Sequence, residues 1–187
     1  MLKSNFSKLW SSENISNPSI SHAIVSAICR QNSRDNGRTL YRLVTEAAGR
    51  YLLIQSPARP DFDLVKTITF ETKPIKINLG KTAYGFRLRA HPAKTINKKK
   101  LAIVQRDEQE AWINRVLETN GAKLSSLSIK GEGMQRWQHS KNLISAYSVF
   151  FEGTIEVLDP SAFEQMLERG LGCRKAFGYG LLTLRRI

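Results

Sequence analysis

Cysteine is nearly absent from this chain of 187 residues: only Cys29 and Cys173 occur. They lie far apart without metal-ligand spacing, which excludes a disulfide framework and argues against a zinc site. Histidine is equally scarce. His22, His91 and His139 are scattered, no two stand four apart on a helix, and no carboxylate cluster resembles a metal site, so the expected chemistry uses neither metal nor cofactor. Long apolar runs are missing as well. None approaches the ~20 residues needed to span a bilayer, and residues 1–10 lack the apolar centre of a signal peptide. The chain therefore reads as soluble and cytoplasmic, with no membrane partner. Acidic residues are the last deficit, 16 Asp and Glu against 29 Lys and Arg, for a net charge of +13. Such an imbalance selects a polyanionic partner, and without an apolar anchor nucleic acid is favoured over an anionic membrane.

With 41% hydrophobic residues the chain can build a true core, as one ordinary domain or two small ones. Leu2, Phe6, Leu9 and Trp10 suggest a first strand. Asn17 before Pro18 resembles an N-cap with proline at the first helical position, and Ile20, Ile24 and Ile28 with Ala23 and Ala27 form an apolar stripe. Residues 31–37 read as a loop. Thr39 to Val44 and Tyr51 to Gln55 read as a hairpin turning at Ala48-Gly49-Arg50. Mixed strand signals follow through Ile68 and Ile77, and then Tyr84 to Ala90 alternates, with Phe86, Leu88 and Ala90 on one face and Arg87 and Arg89 on the other.

The polar, basic run Ala93 to Lys100 marks a composition shift and is the expected interdomain connection. Beyond it, Arg106 to Leu117 is a helix with acidic residues in its first turn. Strands follow over Leu124–Ile129 and Tyr147–Val157, with Lys130 to Lys141 between them as an exposed hairpin tip. Asp159-Pro160 opens a helix that Gly170 ends, and Leu181 to Leu184 forms the last strand. The fold class expected is α+β, two tandem ferredoxin-like (RRM-like) domains over residues 1–92 and 101–187.

Gly170-Leu-Gly-Cys-Arg-Lys-Ala-Phe-Gly-Tyr-Gly180 is the densest motif. Four glycines around Arg174 and Lys175 describe a backbone able to approach a phosphate chain, although one or two of them would serve equally as a helix cap and turn. Three basic elements then define one expected RNA- or DNA-binding face: Lys94, Lys98, Lys99 and Lys100; Lys130, Arg136 and Lys141, with Trp137 available to stack on a base; and Gly170, Gly172, Arg174, Lys175, Gly178 and Gly180. Each taken alone is usually a solvated surface. Cleavage by a 2′-hydroxyl against its adjacent phosphate needs a proton acceptor, a proton donor for the leaving 5′-oxygen and a cation for the developing charge, and His22, near a helix start, could serve as general base, general acid or both.

The glycine-rich segment Gly170 to Leu182, the strand Phe86-Arg-Leu-Arg-Ala-His-Pro-Ala-Lys-Thr95 and the helix bearing Glu108-Gln-Glu-Ala-Trp112 together resemble the CasE-type CRISPR repeat endoribonucleases, the crRNA-processing subunit of Cascade-like complexes. The resemblance runs from Ser19 onward. It implies two ferredoxin-like domains, metal-independent cleavage at the base of the repeat stem-loop, a cyclic-phosphate end, and retention of the hairpin beside other effector subunits, especially the backbone subunit. The family's active-site histidine falls on His22. Its tyrosine three positions earlier, which positions the reacting groups in relatives, is Ser19 here, and the lysine some relatives carry five positions later is Ala27. Lys175 matches the family's loop lysine, and Arg87 and Arg89 match basic residues of the family strand. Arg30, Arg34 or Lys175 could supply the cation. Ser19 keeps open an alternative, a catalytically weak or inactive subunit that only anchors the crRNA hairpin; a basic RNA chaperone accounts for charge and fold but not for the motifs.

Overall fold

The computed structural model describes residues 2–11, 14–29, 38–47, 49–64, 68–77, 79–80 and 82–187. The expected loop at 31–37, Arg30 and Arg34 among the candidate cations, and the turn residue Ala48 lie outside them. In chain order the elements are β1 (Leu2–Ser11), α1 (Pro18–Ile28), β2 (Leu40–Glu46), β3 (Gly49–Ser56), β4 (Ile68–Ile77), β5 (Ala83–Ala90), β6 (Ala93–Ile96), β7 (Lys99–Ala102), α2 (Arg106–Thr119), β8 (Ala122–His139), β9 (Asn142–Val157), α3 (Pro160–Arg169) and β10 (Leu182–Arg186).

The first sheet has the order β2-β3-β1-β4, each pair antiparallel, so β1 and β2 run parallel on either side of β3 with α1 as their crossover. α1 starts where expected: the Asn17 side chain accepts from the Ser19 N–H at 2.9 Å, and Pro18 needs no donor at that position. Its buried face is rotated from the expected stripe. Ser21, Ile24, Val25 and Ile28 face Leu9, Tyr41, Leu52 and Ile54, whereas Ala23 is exposed. Ser21 can lie on the buried row because its hydroxyl donates to Ile15 O at 2.6 Å. The hairpin turn also tightens, since Gly49 and Arg50 already belong to β3. Among the described residues, the second crossover holds a single 3₁₀ turn, Phe62–Leu64, whose Phe62 ring stacks on Phe70 at 3.9 Å.

The second sheet, β10-β5-β9-β8, repeats the same order with its own α2 and α3. Two ferredoxin-like α+β units are therefore present, but the division at 92 and 101 does not follow the sheets. β5 lies between β10 and β9, because its alternating Phe86, Leu88 and Ala90 join Phe151, Ile155, Ile113 and Phe163 in the second core. The run Ala93 to Lys100 is correspondingly no linker. It forms most of the β6-β7 hairpin inside the second unit, turning through Asn97 and Lys98 at φ 48° and 63°. The expected hairpin tip at Lys130 to Lys141 is likewise mostly strand, since β8 pairs with β9 as far as His139 and reverses at Ser140 and Lys141.

Polar bonds from β2 and β3 join the two units. Tyr41 donates to Ala176 O at 2.7 Å, Gln55 donates to Leu167 O at 3.1 Å, and Arg42 donates to Arg87 O at 3.2 Å and to Thr183 Oγ1 at 2.9 Å. Burial, reinforced by the neighbouring Arg87 charge, lowers the Arg42 guanidinium to about 10. A guanidinium held on neutral oxygens in this way is a rigid latch, because a buried donor left unpaired would be costly.

Candidate active site and nucleic-acid interface

His22 lies in the first half of α1, on the helix flank that meets the second unit. Its imidazole packs against Phe177 from the 3₁₀ turn Lys175–Phe177, with centroids 5.4 Å apart, and against His139 at the end of β8, also 5.4 Å away with the planes 67° apart. His22 Nδ1 and Ser26 Oγ are 3.4 Å apart. Burial first, and the charge of His139 second, pull the His22 imidazole below its ordinary value, while the Ala176 backbone acts in the opposite direction. His22 is thus held neutral at pH 7, the form that can accept a proton.

His139 is absent from the site residues expected on sequence grounds. In sequence it is one more polar residue of a hairpin, 117 positions from His22, and no local signal pairs them. The clue lies at Ser19, whose place in the family pattern asks for a partner. That serine sits on the second residue of α1, donates its hydroxyl to Gln138 O at 2.7 Å, and lies 3.2 Å from His139 Nδ1. Phe177 closes the group from the other side, 5.1 Å from the His139 ring.

Trp137 is not available for base stacking. It is 6% exposed and packs with Ala146, Tyr179, Ile144 and Phe177, because alternation along β8 turns it inward while Arg136 points to solvent. Its burial gives Phe177 a wall to lean on, at 5.2 Å, and so supports the histidine pair indirectly.

The glycine-rich segment is used differently from expectation. Gly178 and Gly180 are buried and Gly170 is half-buried, so these three shape the loop against protein rather than against a phosphate chain. A Cβ on Gly170 would strike Leu40 of the first unit at 2.7 Å, and one on Gly178 would meet the Tyr41 ring at 3.3 Å. Gly172 and Arg174 remain exposed. The segment is a strap between the two units that carries Lys175 and Phe177 on its outer turn.

The expected cations separate into two groups. Arg87 pairs with Glu152 at 2.9 Å, Lys94 with Glu108 at 2.6 Å, and Arg89 with Glu132 at 2.6 Å. Arg89 is the most committed, since it also donates to Ser148 Oγ and lies over the Tyr179 ring at 5.5 Å. Arg87 and Lys94 are in exposed pairs, worth little and open to exchange with a phosphate. Lys100, Arg174 and Lys175 form a second group with Arg38, which no sequence motif marks out. Lys175 is pulled below its ordinary value first by burial and then by the Arg38 and Lys100 charges, and His91 is lowered by burial and by Arg174 and Lys100. These positive charges repel one another, and among the described residues no carboxylate acts on Lys175, a field suited to a polyanion. The charge acting on His22 comes from His139. Lys98, Lys99, Lys130, Arg136 and Lys141 are exposed around this face. Changing Lys98, Lys99 and Lys100 to Ala together is expected to weaken RNA binding and flatten its dependence on salt by about 0.7 to 0.9 log units for each phosphate no longer neutralised. Arg89→Ala should instead lower stability, and filter-binding titrations from low to high salt separate the two effects.

Among the described residues, no group of three or more His, Cys, Asp or Glu side chains is placed to hold a metal ion, and no helix is long and apolar enough to cross a membrane. A family model described as CRISPR associated protein matches residues 3–186. The CRISPR-associated endoribonuclease Cse3 of Thermus thermophilus is 31% identical over 91% of this chain and 90% of its own length. The CRISPR system Cascade subunit CasE of Escherichia coli K12 is 32% identical over 73% of this chain and 74% of its own. A solved structure of Cse3 bound to a 19 nt RNA superposes with a TM-score of 0.88 at 27% identity, covering 99% of this chain and all of that one.

Proposed function

The chain belongs to the family of CRISPR associated proteins, and from that premise we propose that it is an endoribonuclease that cuts CRISPR precursor RNA at the base of the repeat stem-loop and retains the hairpin in a Cascade-like effector complex. One observation above all supports a cutting role: His22, an imidazole lowered by burial and so able to accept a proton, stands half-buried at the junction of the two units against Phe177, on the same short turn as Lys175. A binding module would need the charge alone.

The chemistry follows from what RNA supplies. His22 removes the proton of the 2′-hydroxyl, the oxygen attacks the adjacent phosphorus, the bond to the 5′-oxygen breaks, and the product carries a 2′,3′-cyclic phosphate. The nucleophile belongs to the substrate, so no water need be activated. Lys100, Arg174, Lys175 and Arg38 hold the phosphate chain, with Lys130, Arg136 and Lys141 along the neighbouring hairpin. Tight retention of the hairpin makes turnover slow, so the protein acts about once per RNA.

Incubation with a cognate repeat RNA in excess EDTA should yield one cut at the base of the stem, a cyclic-phosphate end, and a burst that stops near one product per protein. Binding without any cut would instead establish the anchoring subunit that Ser19 leaves open.

A further inference from the structure

We propose that His139 is the second proton-transfer group of this site, donating a proton to the leaving 5′-oxygen while His22 accepts that of the 2′-hydroxyl, and that Ser19 is the positioning residue that holds the His139 ring. The inference deepens the endoribonuclease reading and rests on it.

Hydrogen-bond accounting determines the state of the ring. Gln138 O can only accept, so the single hydroxyl proton of Ser19 is spent on it at 2.7 Å. The Ser19 oxygen must then accept from His139, which places a proton on Nδ1 across the 3.2 Å contact. Nε2 is left as the atom that gains and loses a proton, on the opposite side of the ring from Ser19. Phe177 at 5.1 Å keeps the ring from turning.

The pair suits one phosphate. The two rings lie 5.4 Å apart with planes 67° apart, close enough for both to serve one phosphorus centre. Two imidazolium charges this close would repel, so the ring that accepts a proton must start out neutral. His22, lowered by burial, is the neutral partner. The step balances: the 2′-oxygen–phosphorus bond forms, the phosphorus–5′-oxygen bond breaks, one proton passes to His22, and one leaves His139. Serine at position 19 is thus no loss of function, because its hydroxyl serves an imidazole that reaches the substrate where serine cannot.

The test uses two hairpin RNAs, one ordinary and one with sulfur in place of the bridging 5′-oxygen at the cut, whose thiolate leaves without being protonated. His139→Ala and His139→Gln should cleave ordinary RNA about 10²- to 10³-fold more slowly than the unaltered protein, yet cut the sulfur-bridged RNA within a fewfold of it. Ser19→Ala should lose about tenfold on ordinary RNA, the size of one hydrogen bond, with recovery in Ser19→Thr. Unchanged cleavage by both His139 variants overturns the assignment, and so does a defect of equal size on both RNAs. If the unaltered protein binds the hairpin and cuts neither RNA, the endoribonuclease reading itself falls; if it cuts and the His139 variants match it, only this inference does.

Discussion

His22→Ala should bind the repeat hairpin with an affinity close to that of the unaltered protein and cleave it about 10³-fold more slowly, the usual weight of one proton-transfer group. Affinity is preserved because the ring contacts Phe177 and His139, while the converging cations sit on other elements. Stability is little affected, since alanine is the strongest helix former and the lost ring is only half-buried. Single-turnover rates against hairpin titrations separate the two quantities, and a variant that still cuts at full rate would remove His22 from the mechanism. The pH profile offers an independent check. Burial and the His139 charge keep His22 unprotonated further into acid than a free imidazole, so the acid limb of the cleavage rate should lie below the ordinary histidine value.

Gly180→Ala is expected to be the most damaging small change in the strap. Gly180 has φ +84°, and a Cβ there would stand 2.3 Å from Leu171 O. Its N–H donates to Arg89 O at 2.8 Å and its carbonyl accepts from Leu171 N at 2.9 Å, so the residue can neither rotate nor withdraw without breaking both bonds. The left-handed backbone costs an alanine about 1–2 kcal/mol, and losing one of those bonds about 1 more. A total of about 2–3 kcal/mol lowers Tm by about 4–12 °C for a chain of this size. Cleavage should fall as well, because the same strap presents Ala176 and Phe177 to the histidine pair. Gly133→Ala is the matched control: φ is +83° there, but nothing lies within 4 Å of the added carbon, so only the conformational cost remains. Melting curves that coincide for the two variants would show that the strap tolerates a side chain.

Much of the architecture is legible in the chain because it is written in short-range signals. Asn17-Pro18 and Asp159-Pro160 both cap the helices they were expected to start, with Asp159 accepting from the N–H groups of Ser161 and Ala162. The alternation of Tyr84 to Ala90 correctly places Phe86, Leu88 and Ala90 inside. Membership of the sheet is not legible. β5 could close the first unit or open the second, and only its pairing with β9 and β10 decides, through partners more than fifty residues away. The site divides in the same way. His22 is marked by its position in a helix and by the family pattern, whereas Trp137 looks like a free aromatic until strand alternation and the Tyr179 wall take it inward.

The sequence by itself determined the sign of the partner, the two-unit α+β pattern, the helix caps and the helical place of His22, because each depends on composition or on neighbours a few residues apart. Tertiary structure alone decided that His139 meets His22, that Ser19 serves His139, and that Arg87, Arg89 and Lys94 are paired while Lys100, Arg174 and Lys175 converge with Arg38. The reason is register and distance along the chain: a β-strand shifted by one residue turns every side chain to the other face, and Ser19 meets His139 across 120 positions that no local pattern connects.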